Sequence, residues 1–144
     1  MLGINLVCPG NLKEAYLRDA ASEYARRLSR FCRLTVTEVA ESTPEKEKDQ
    51  ILRHLRGTVV ALCIEGKELS STDLAAFVEK TSLISSEITF VIGSSCGLAP
   101  EVKAKADLRL SFSAMTFPHQ LMRVMLLEQI YRAMTIVNHI PYHK

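Results

Sequence analysis

The sequence predicts an α/β domain, with a largely parallel sheet of five or six strands and helices on both faces. Five short runs rich in β-branched and other apolar residues alternate with five helical patterns along the chain. The connections between the runs leave room for crossover helices, which parallel neighbours require. Hydrophobic residues make up 47% of the 144 residues. A chain of this size can bury one sizeable core, so we expect a single domain over residues 1–144.

The first part of the chain shows two cycles of strand and helix. Gly3 to Val7 is a short apolar run, and a turn separates it from a helical pattern over residues 12–31. Arg33 to Val39 alternates between apolar and polar residues, as a half-buried strand does. Ser42-Thr43-Pro44 then opens a polar helix that ends near Gly57, because a hydroxyl caps a helix start and proline suits the first turn.

The second part continues the alternation. Thr58 to Ile64 is apolar after its first residue, which is typical of a central strand covered on both faces. Ser70-Ser71-Thr72-Asp73 has the spacing of a capping box and predicts a helix that ends near Leu83. The remaining predicted elements are a strand at 88–92, a small-residue loop at 93–98, a short helix at 100–106, a strand at 108–111 and a long helix at 119–138.

Ligands of such sheets bind beyond the carboxyl ends of the strands. Three segments of this sequence follow a predicted strand there, namely Glu65-Gly66-Lys67, Gly93 to Leu98 and Phe112 to Pro118. We therefore expect any small-molecule site to be built from these three segments.

The charge distribution leaves two interpretations open. Lys and Arg number 18 against 16 Asp and Glu, and a net charge of +2 is too small to indicate a nucleic-acid partner by itself. Basic residues concentrate in residues 13–33 and 108–144, whereas acidic residues concentrate in 38–49. These regions are either solvated helix faces or parts of a surface that binds a polyanion.

The cysteines and the N-terminus indicate a cytoplasmic protein. Cys8, Cys32, Cys63 and Cys96 are too far apart in sequence for a zinc knuckle or a thioredoxin-type pair. The N-terminus lacks the pattern of a signal peptide, and the longest apolar run, Val59 to Ile64, is far too short to span a bilayer. We expect no membrane association.

The last predicted helix indicates a second subunit. Between Leu121 and Val137, 12 of 17 residues are apolar, so no wide polar face remains for water. We expect a homodimer through this helix, and the alternative is a helix wholly buried within one monomer.

Two other functions fit parts of the pattern. Gly93-Ser94-Ser95-Cys96-Gly97 matches the G-x-S-x-G elbow of serine hydrolases, with Ser95 as nucleophile and with Asp107 and His119 following in chain order. No segment supplies the second oxyanion donor. A flavodoxin-like binding module shares the α/β pattern, although the phosphate-loop motifs of dinucleotide and ATP sites are absent.

The C-terminal tail, Pro141-Tyr142-His143-Lys144, is unusual because it places an aromatic ring, an imidazole and a cation at the end of the chain. Termini are usually featureless, so an ordered tail would indicate a function. His139 and His143 are four residues apart, but Pro141 breaks the helix that would bring both to one metal ion. We therefore expect no metal site.

Seven segments of the sequence carry a resemblance to a known family, in chain order Leu12-Lys13-Glu14, Glu65-Gly66-Lys67, Val91 to Leu98, Leu110 to Gln120, Arg123-Val124, Glu128 to Ala133 and Pro141 to Lys144. Together these segments resemble the RlmH family of ribosomal RNA large-subunit pseudouridine N3-methyltransferases, within the SPOUT class. The sequence departs from the family at Gly93-Ser94, where the family usually has Gly-Gly, and the segment between the second and third strands is shorter.

The resemblance implies a homodimer with a C-terminal trefoil knot that uses S-adenosylmethionine (SAM) to methylate N3 of a pseudouridine in large-subunit rRNA on the assembled ribosome. It assigns SAM binding to Leu62, Gly93, Phe112, Ser113, Ala114, Met115, Thr116 and Phe117. An adenine needs an apolar slot, which Leu62, Phe112, Met115 and Phe117 would supply.

The tail and the last predicted helix supply the candidate catalytic residues. Our hypothesis is that His143 is the general base, and that Tyr142 and Arg132 orient the target ring or stabilise its negative charge. It rests on the composition of the tail and on the family match.

Overall fold

A computed structural model describes all residues, 1–144, and confirms the predicted fold class. Five strands and five helices alternate along the chain. The strands are β1 (Gly3–Pro9), β2 (Arg33–Val39), β3 (Thr58–Glu68), β4 (Glu87–Val91) and β5 (Leu108–Ser111). The helices are α1 (Ala15–Leu28), α2 (Pro44–Arg53), α3 (Ser71–Ser82), α4 (Pro100–Ala104) and α5 (His119–Val137).

The strands form one parallel sheet in the order β2-β1-β4-β3-β5. This order places β4 at the centre between β1 and β3, and all but one residue of β1 and of β4 are buried. A flavodoxin-like sheet has the order 2-1-3-4-5, with its third strand beside its first. Here β1 pairs with β4 instead, so the strand order excludes the flavodoxin-like alternative.

Helices cover both faces of the sheet, as predicted. Side chains alternate along a strand, and neighbouring residues of β1 therefore enter different cores. Leu6 packs with buried residues of α1, α3 and α5. Val7 packs on the other face with buried residues of α2 and α4.

The third strand is longer than predicted. The sequence predicts that it ends at Ile64, but the chain leaves β5 after Leu62, returns at Lys67 and continues to Glu68. Leu62 and Lys67 both lie opposite Leu110. A Cβ on Gly66 would lie 2.8 Å from the carbonyl carbon and oxygen of Arg109, so glycine permits the close return. The segment Glu65-Gly66-Lys67 is therefore part of an irregular strand rather than a loop beyond its end.

Local capping explains where two helices begin. The Thr43 hydroxyl accepts a hydrogen bond from the Lys46 amide (3.3 Å), and Pro44 occupies the first turn of α2. The predicted capping box is present in α3, where Ser70 and Asp73 each bind the other's backbone amide. In contrast, α1 begins at Ala15, three residues later than position 12, and its N-cap residue makes no side-chain hydrogen bond.

The last helix packs against α1 and α3 within the same chain. Leu126, Leu127 and Ile130 are fully buried, whereas Leu121 is exposed and Met125 is half-buried. One subunit thus covers much of α5 but leaves part of its apolar surface open, and the homodimer stays a prediction. The trefoil knot also stays a prediction. None of the helices, α5 included, has the length and apolar character needed to cross a membrane.

Candidate functional site

A large cavity lies beside the irregular middle of β3 and the carboxyl ends of β4 and β5, where the sequence predicts a site. Its volume is about 760 Å³, within the range of about 300–1,000 Å³ typical of small-molecule sites. All of the residues that the resemblance assigns to SAM line it except Ala114, namely Leu62, Gly93, Phe112, Ser113, Met115, Thr116 and Phe117.

The cavity combines apolar side chains with tight backbone loops. Leu62 and Phe112 line it and pack against the adjacent hydrophobic core. Met115 also lines it but is 73% exposed, so this side chain lies at the opening. The Ser113 hydroxyl accepts a hydrogen bond from the Met115 amide (3.0 Å) and thereby shapes the loop itself.

The loop after β4 turns back on itself at two glycines. A Cβ on Gly93 would lie 2.6 Å from the carbonyl carbon and oxygen of Gly97, far inside contact distance. Gly97 has a φ of +85°, which L side chains rarely adopt. The Gly97 amide donates a 2.8 Å hydrogen bond to the Ser94 carbonyl oxygen and closes the turn.

A buried carboxylate fixes this loop from outside. The Ser94 hydroxyl donates a hydrogen bond to Glu47 Oε1 (3.1 Å), and the Ser42 amide donates to Glu47 Oε2 (2.7 Å). Glu47 is 2% exposed and Ser94 is 8% exposed. Ser94, which stands where the resembling family usually has glycine, thus has a hydrogen-bond partner in the acidic segment, residues 38–49.

Two further carboxylates of the acidic segment reach the start of α5. Glu38 pairs with Arg123 (2.6 Å), and the Arg123 guanidinium also donates to the Gly10 carbonyl oxygen (2.9 Å). His119 Nε2 lies 3.1 Å from Glu41 Oε1, without the alignment of a hydrogen bond. Arg123 is 3% exposed, so its charge is not available to a polyanion. It therefore does not belong to the basic surface that the sequence suggests for residues 108–144.

The three candidate catalytic residues lie together around Glu128. The Tyr142 hydroxyl donates to Glu128 Oε2 (2.6 Å), and Arg132 donates to the two carboxylate oxygens at 3.3 and 2.8 Å. Arg132 Nη1 lies 3.2 Å from His143 Nδ1. The Tyr142 ring packs edge-on against Tyr131, with centroids 4.8 Å apart. The tail is therefore ordered by contacts with α5.

These contacts raise the pKa of two groups in the cluster, Tyr142 and Arg132. Burial and, next, the hydrogen bond to Glu128 raise the pKa of Tyr142, so its hydroxyl stays protonated and acts as a donor. The hydrogen bond to Glu128 also raises the pKa of Arg132. If His143 Nδ1 accepts from the guanidinium, the proton of a neutral imidazole lies on Nε2. The ring must then turn from Arg132 before it accepts a proton at Nδ1.

Glu128 connects the tail with a second, smaller cavity, a role that its place in the sequence does not indicate. It lines a smaller cavity of about 330 Å³, and Phe112 and Phe117 line both this cavity and the larger one. Arg132, Tyr142 and His143 themselves line neither cavity. The spacing of four between Glu128 and Arg132 on one helix is the sequence signal for their ion pair.

The residues of the hydrolase alternative do not form a triad. Ser95 is exposed and its hydroxyl makes no hydrogen bond within the protein. Asp107 Oδ2 accepts from the Val59 amide (2.8 Å), while His119 faces Glu41. A serine nucleophile needs a base within hydrogen-bond reach, so the geometry does not support this function. No cluster of three or more His, Cys, Asp or Glu side chains is arranged to hold a metal ion.

Comparisons with known proteins agree with the geometry. A family described as "Predicted SPOUT methyltransferase" matches residues 2–143. The "Ribosomal RNA large subunit methyltransferase H" of Bifidobacterium animalis subsp. lactis is 54% identical, over 99% of this chain and 100% of that protein. A "Putative ribosomal RNA large subunit methyltransferase H" of Methanococcus maripaludis is 46% identical over the same shares.

Solved structures share the fold at low sequence identity. A probable methylase family protein from Haemophilus influenzae has a TM-score of 0.56 at 13% identity, covering 99% of this chain and 70% of that one. The SpoU methyltransferase AviRb from Streptomyces viridochromogenes has a TM-score of 0.51 at 12% identity, covering 96% and 61%. A further AviRb structure, with a TM-score of 0.49 at 12% identity and the same coverage, contains the cofactor AdoMet.

Proposed function

This chain belongs to the SPOUT methyltransferase family, and on that premise we propose that it methylates N3 of a pseudouridine in large-subunit ribosomal RNA, using SAM, on the assembled ribosome. The names of relatives 46–54% identical over the whole chain support large-subunit rRNA as the substrate. The observation that carries the proposal is the cavity beside the middle of β3 and the carboxyl ends of β4 and β5, because its walls include every residue that the resemblance assigns to SAM except Ala114.

The residues present fit such a cofactor. Leu62, Phe112 and Phe117 offer apolar surface for an adenine, and the small residues of the loop from Gly93 leave backbone groups free to approach polar edges. SAM, when bound, supplies a methyl group that its sulfonium already activates, without a metal ion. The chain therefore has to hold the donor, exclude water and align the target nitrogen with the methyl group.

The target nitrogen must also lose its proton. We assign this step to His143, whose imidazole can accept a proton once it turns from Arg132. Tyr142 and Arg132 are a hydroxyl donor and a fixed cation, both suited to stabilise the negative charge left on the ring. Alignment of reactants reaches effective molarities of about 10⁵–10⁸ M, whereas a general base adds about 10²–10⁴-fold.

Contacts with rRNA would come from the basic surface of α1 and the turn after it. Glu23 accepts hydrogen bonds from Arg26 and Arg27, and these bonds lower the pKa of Glu23 to about 2. The Glu23 carboxylate therefore partly offsets the two positive charges. Arg30 has no carboxylate partner, and its guanidinium lies 5.0 Å from the centre of the Phe31 ring. This modest surface would act with the shape of the ribosome rather than alone.

A second copy of the chain would cover the apolar surface of α5 that one subunit leaves exposed. Leu121 is exposed at the start of α5, and Val124 and Met125 are half-buried, so a homodimer through α5 would cover apolar surface that one subunit leaves open. We expect one SPOUT-type domain over residues 1–144, with the trefoil knot of the family. Since the proposed substrate is the ribosome, we expect the protein in the cytoplasm.

The test is methyl transfer to defined substrates. The purified protein is incubated with labelled SAM and with assembled ribosomes, isolated large subunits or naked rRNA, all lacking the modification. Mass mapping then locates the label. We expect one labelled pseudouridine in large-subunit rRNA, with assembled ribosomes as the best substrate. Label on no rRNA, or on an ordinary uridine alone, would contradict the proposal.

A further inference from the structure

Among residues 93–98 of the cavity wall, Ser94 is the only one whose side chain forms a hydrogen bond. We propose that Glu47, which accepts this bond, is a positioning residue for the cofactor: its buried carboxylate fixes Ser94 and, through it, the backbone of residues 93–98. The inference rests on the proposed function in one respect, namely that this loop holds SAM.

Burial makes the contact hard to lose. Glu47 is 2% exposed, and a buried carboxylate is costly unless hydrogen bonds replace its water. Each of its two oxygens has one partner within the protein, the Ser42 amide and the Ser94 hydroxyl. Release of Ser94 would leave Oε1 buried without a partner. The cost of that state favours the conformation in which the loop is held.

The rest of the loop has few restraints. Ser95 and Cys96 are exposed, and neither side chain forms a hydrogen bond. The Gly97 amide bonds to the Ser94 carbonyl oxygen, which closes the turn internally but does not attach it to another element. Leu98 is buried and anchors the far end. The Ser94 hydroxyl is thus the link between the turn and α2.

Glu47 acts at one remove from the cavity. Ser94 lines the cavity, whereas Glu47 does not. The carboxylate comes from α2, in the acidic segment of residues 38–49, to which the sequence alone assigns no role. It also fixes the chain just before α2, because Ser42 donates to its second oxygen. Glu47 therefore neither touches the cofactor nor reacts, and its effect passes through Ser94.

The experiment is a double-mutant cycle with two readouts. Glu47→Met, Ser94→Ala and the double variant are compared with the wild type by hydrogen exchange of the amides of residues 93–98 in the free protein, and by calorimetric titration with SAM. Glu45→Met is the matched control, because Glu45 lies on the same helix with its side chain 70% exposed. Exchange in β4 and α5 reports any general loss of stability.

We expect each single substitution to speed exchange in the loop and to weaken SAM binding about three- to tenfold, the size of one hydrogen bond. The double variant should be no worse than the worse single one, since both remove the same link. Glu45→Met should leave both readouts unchanged. Glu47→Gln should retain SAM binding, because its amide oxygen can accept from Ser42 while its amide nitrogen donates to Ser94.

Additive effects, or loop exchange unchanged in Ser94→Ala, would overturn the inference. Ser94→Ala decides this even if Glu47→Met fails to fold. Failure of the wild type to bind SAM would instead contradict the proposed function, and the exchange data would still decide whether Glu47 restrains the loop.

Discussion

The Tyr142 hydroxyl donates a 2.6 Å hydrogen bond to the Glu128 carboxylate, which joins the C-terminal tail to α5. The same carboxylate pairs with Arg132 one helical turn later. A phenol and a guanidinium are thereby held at a residue that lines the smaller cavity, and the His143 imidazole lies beside the guanidinium. The sequence predicts a function for the tail if the tail is ordered, and these contacts hold it against α5.

Glu128→Ala should reduce methyl transfer more than cofactor binding. Without the carboxylate, Tyr142 and Arg132 lose their common anchor, and a misplacement of about 1 Å can cost about 10²-fold in rate. We expect a single-turnover rate lowered about 10- to 100-fold, with the Kd for SAM changed less than threefold. The matched control is Glu79→Ala, an exposed glutamate on α3 outside both cavities. Equal losses in rate and in SAM affinity would contradict the anchoring role.

The sequence predicts the elements of this fold better than their arrangement. The capping box at Ser70 and Asp73 is local, so spacing alone reveals it. The return of β3 at Lys67 depends on hydrogen bonds to β5, and the strand order depends on which strands bury each other. Periodicity along the chain carries neither kind of information.

The site shows the same division. The ends of parallel strands meet at one edge, which is why three separate segments could be expected to line one cavity. The contact between Glu47 and Ser94 joins residues 47 positions apart, and no local pattern marks it. Arg123 has the sequence character of a surface cation, but the Glu38 carboxylate and the Gly10 carbonyl oxygen hold it in the interior.

His143→Ala tests the proposed general base. We expect single-turnover methylation at saturating ribosomes to fall about 10²–10⁴-fold, the usual contribution of a positioned base. Binding of SAM should be unchanged, because His143 lines neither cavity. His139→Ala, at an exposed position just before the tail, is the control. A rate for His143→Ala close to that of the wild type would show that another group removes the proton.

Alkaline pH should weaken the attachment of the tail. The pKa of Tyr142 is raised in the folded protein above its ordinary value of about 10, so folding favours the protonated hydroxyl. The stability from this contact is fully present below pH 10 and is lost as the pH rises through the folded pKa. In denaturant titrations, Tyr142→Phe should be about 1 kcal/mol less stable than the wild type at pH 8. The difference should shrink above pH 10, and a constant difference up to pH 12 would contradict this account.

Reversal of charge on α1 and the turn after it should separate ribosome binding from cofactor binding. Arg26 and Arg30 are exposed and lie far in sequence from every residue that lines the larger cavity. We expect Arg26→Glu with Arg30→Glu to weaken ribosome binding and to make its salt dependence shallower, by about 0.7 in slope for each lost phosphate contact. The affinity for SAM, measured on the free protein, should not change. Equal loss of both affinities would contradict the assignment of this surface to rRNA binding.

Two glycines of one turn should respond differently to the same substitution. Alanine at position 93 would bring a Cβ within 2.6 Å of the Gly97 backbone, where no flexible side chain can move away, so the turn itself must open. Alanine at position 97 meets no atom within 4 Å and suffers only from its φ of +85°, a cost of about 1 kcal/mol. Because the displaced backbone forms the cavity wall, Gly93→Ala should weaken SAM binding at least tenfold and Gly97→Ala less than threefold. Calorimetry compares them, with thermal denaturation to confirm that both variants are folded. Equal losses of SAM affinity in the two variants would contradict the proposal that the close approach of Gly93 to Gly97 determines the shape of the cavity wall.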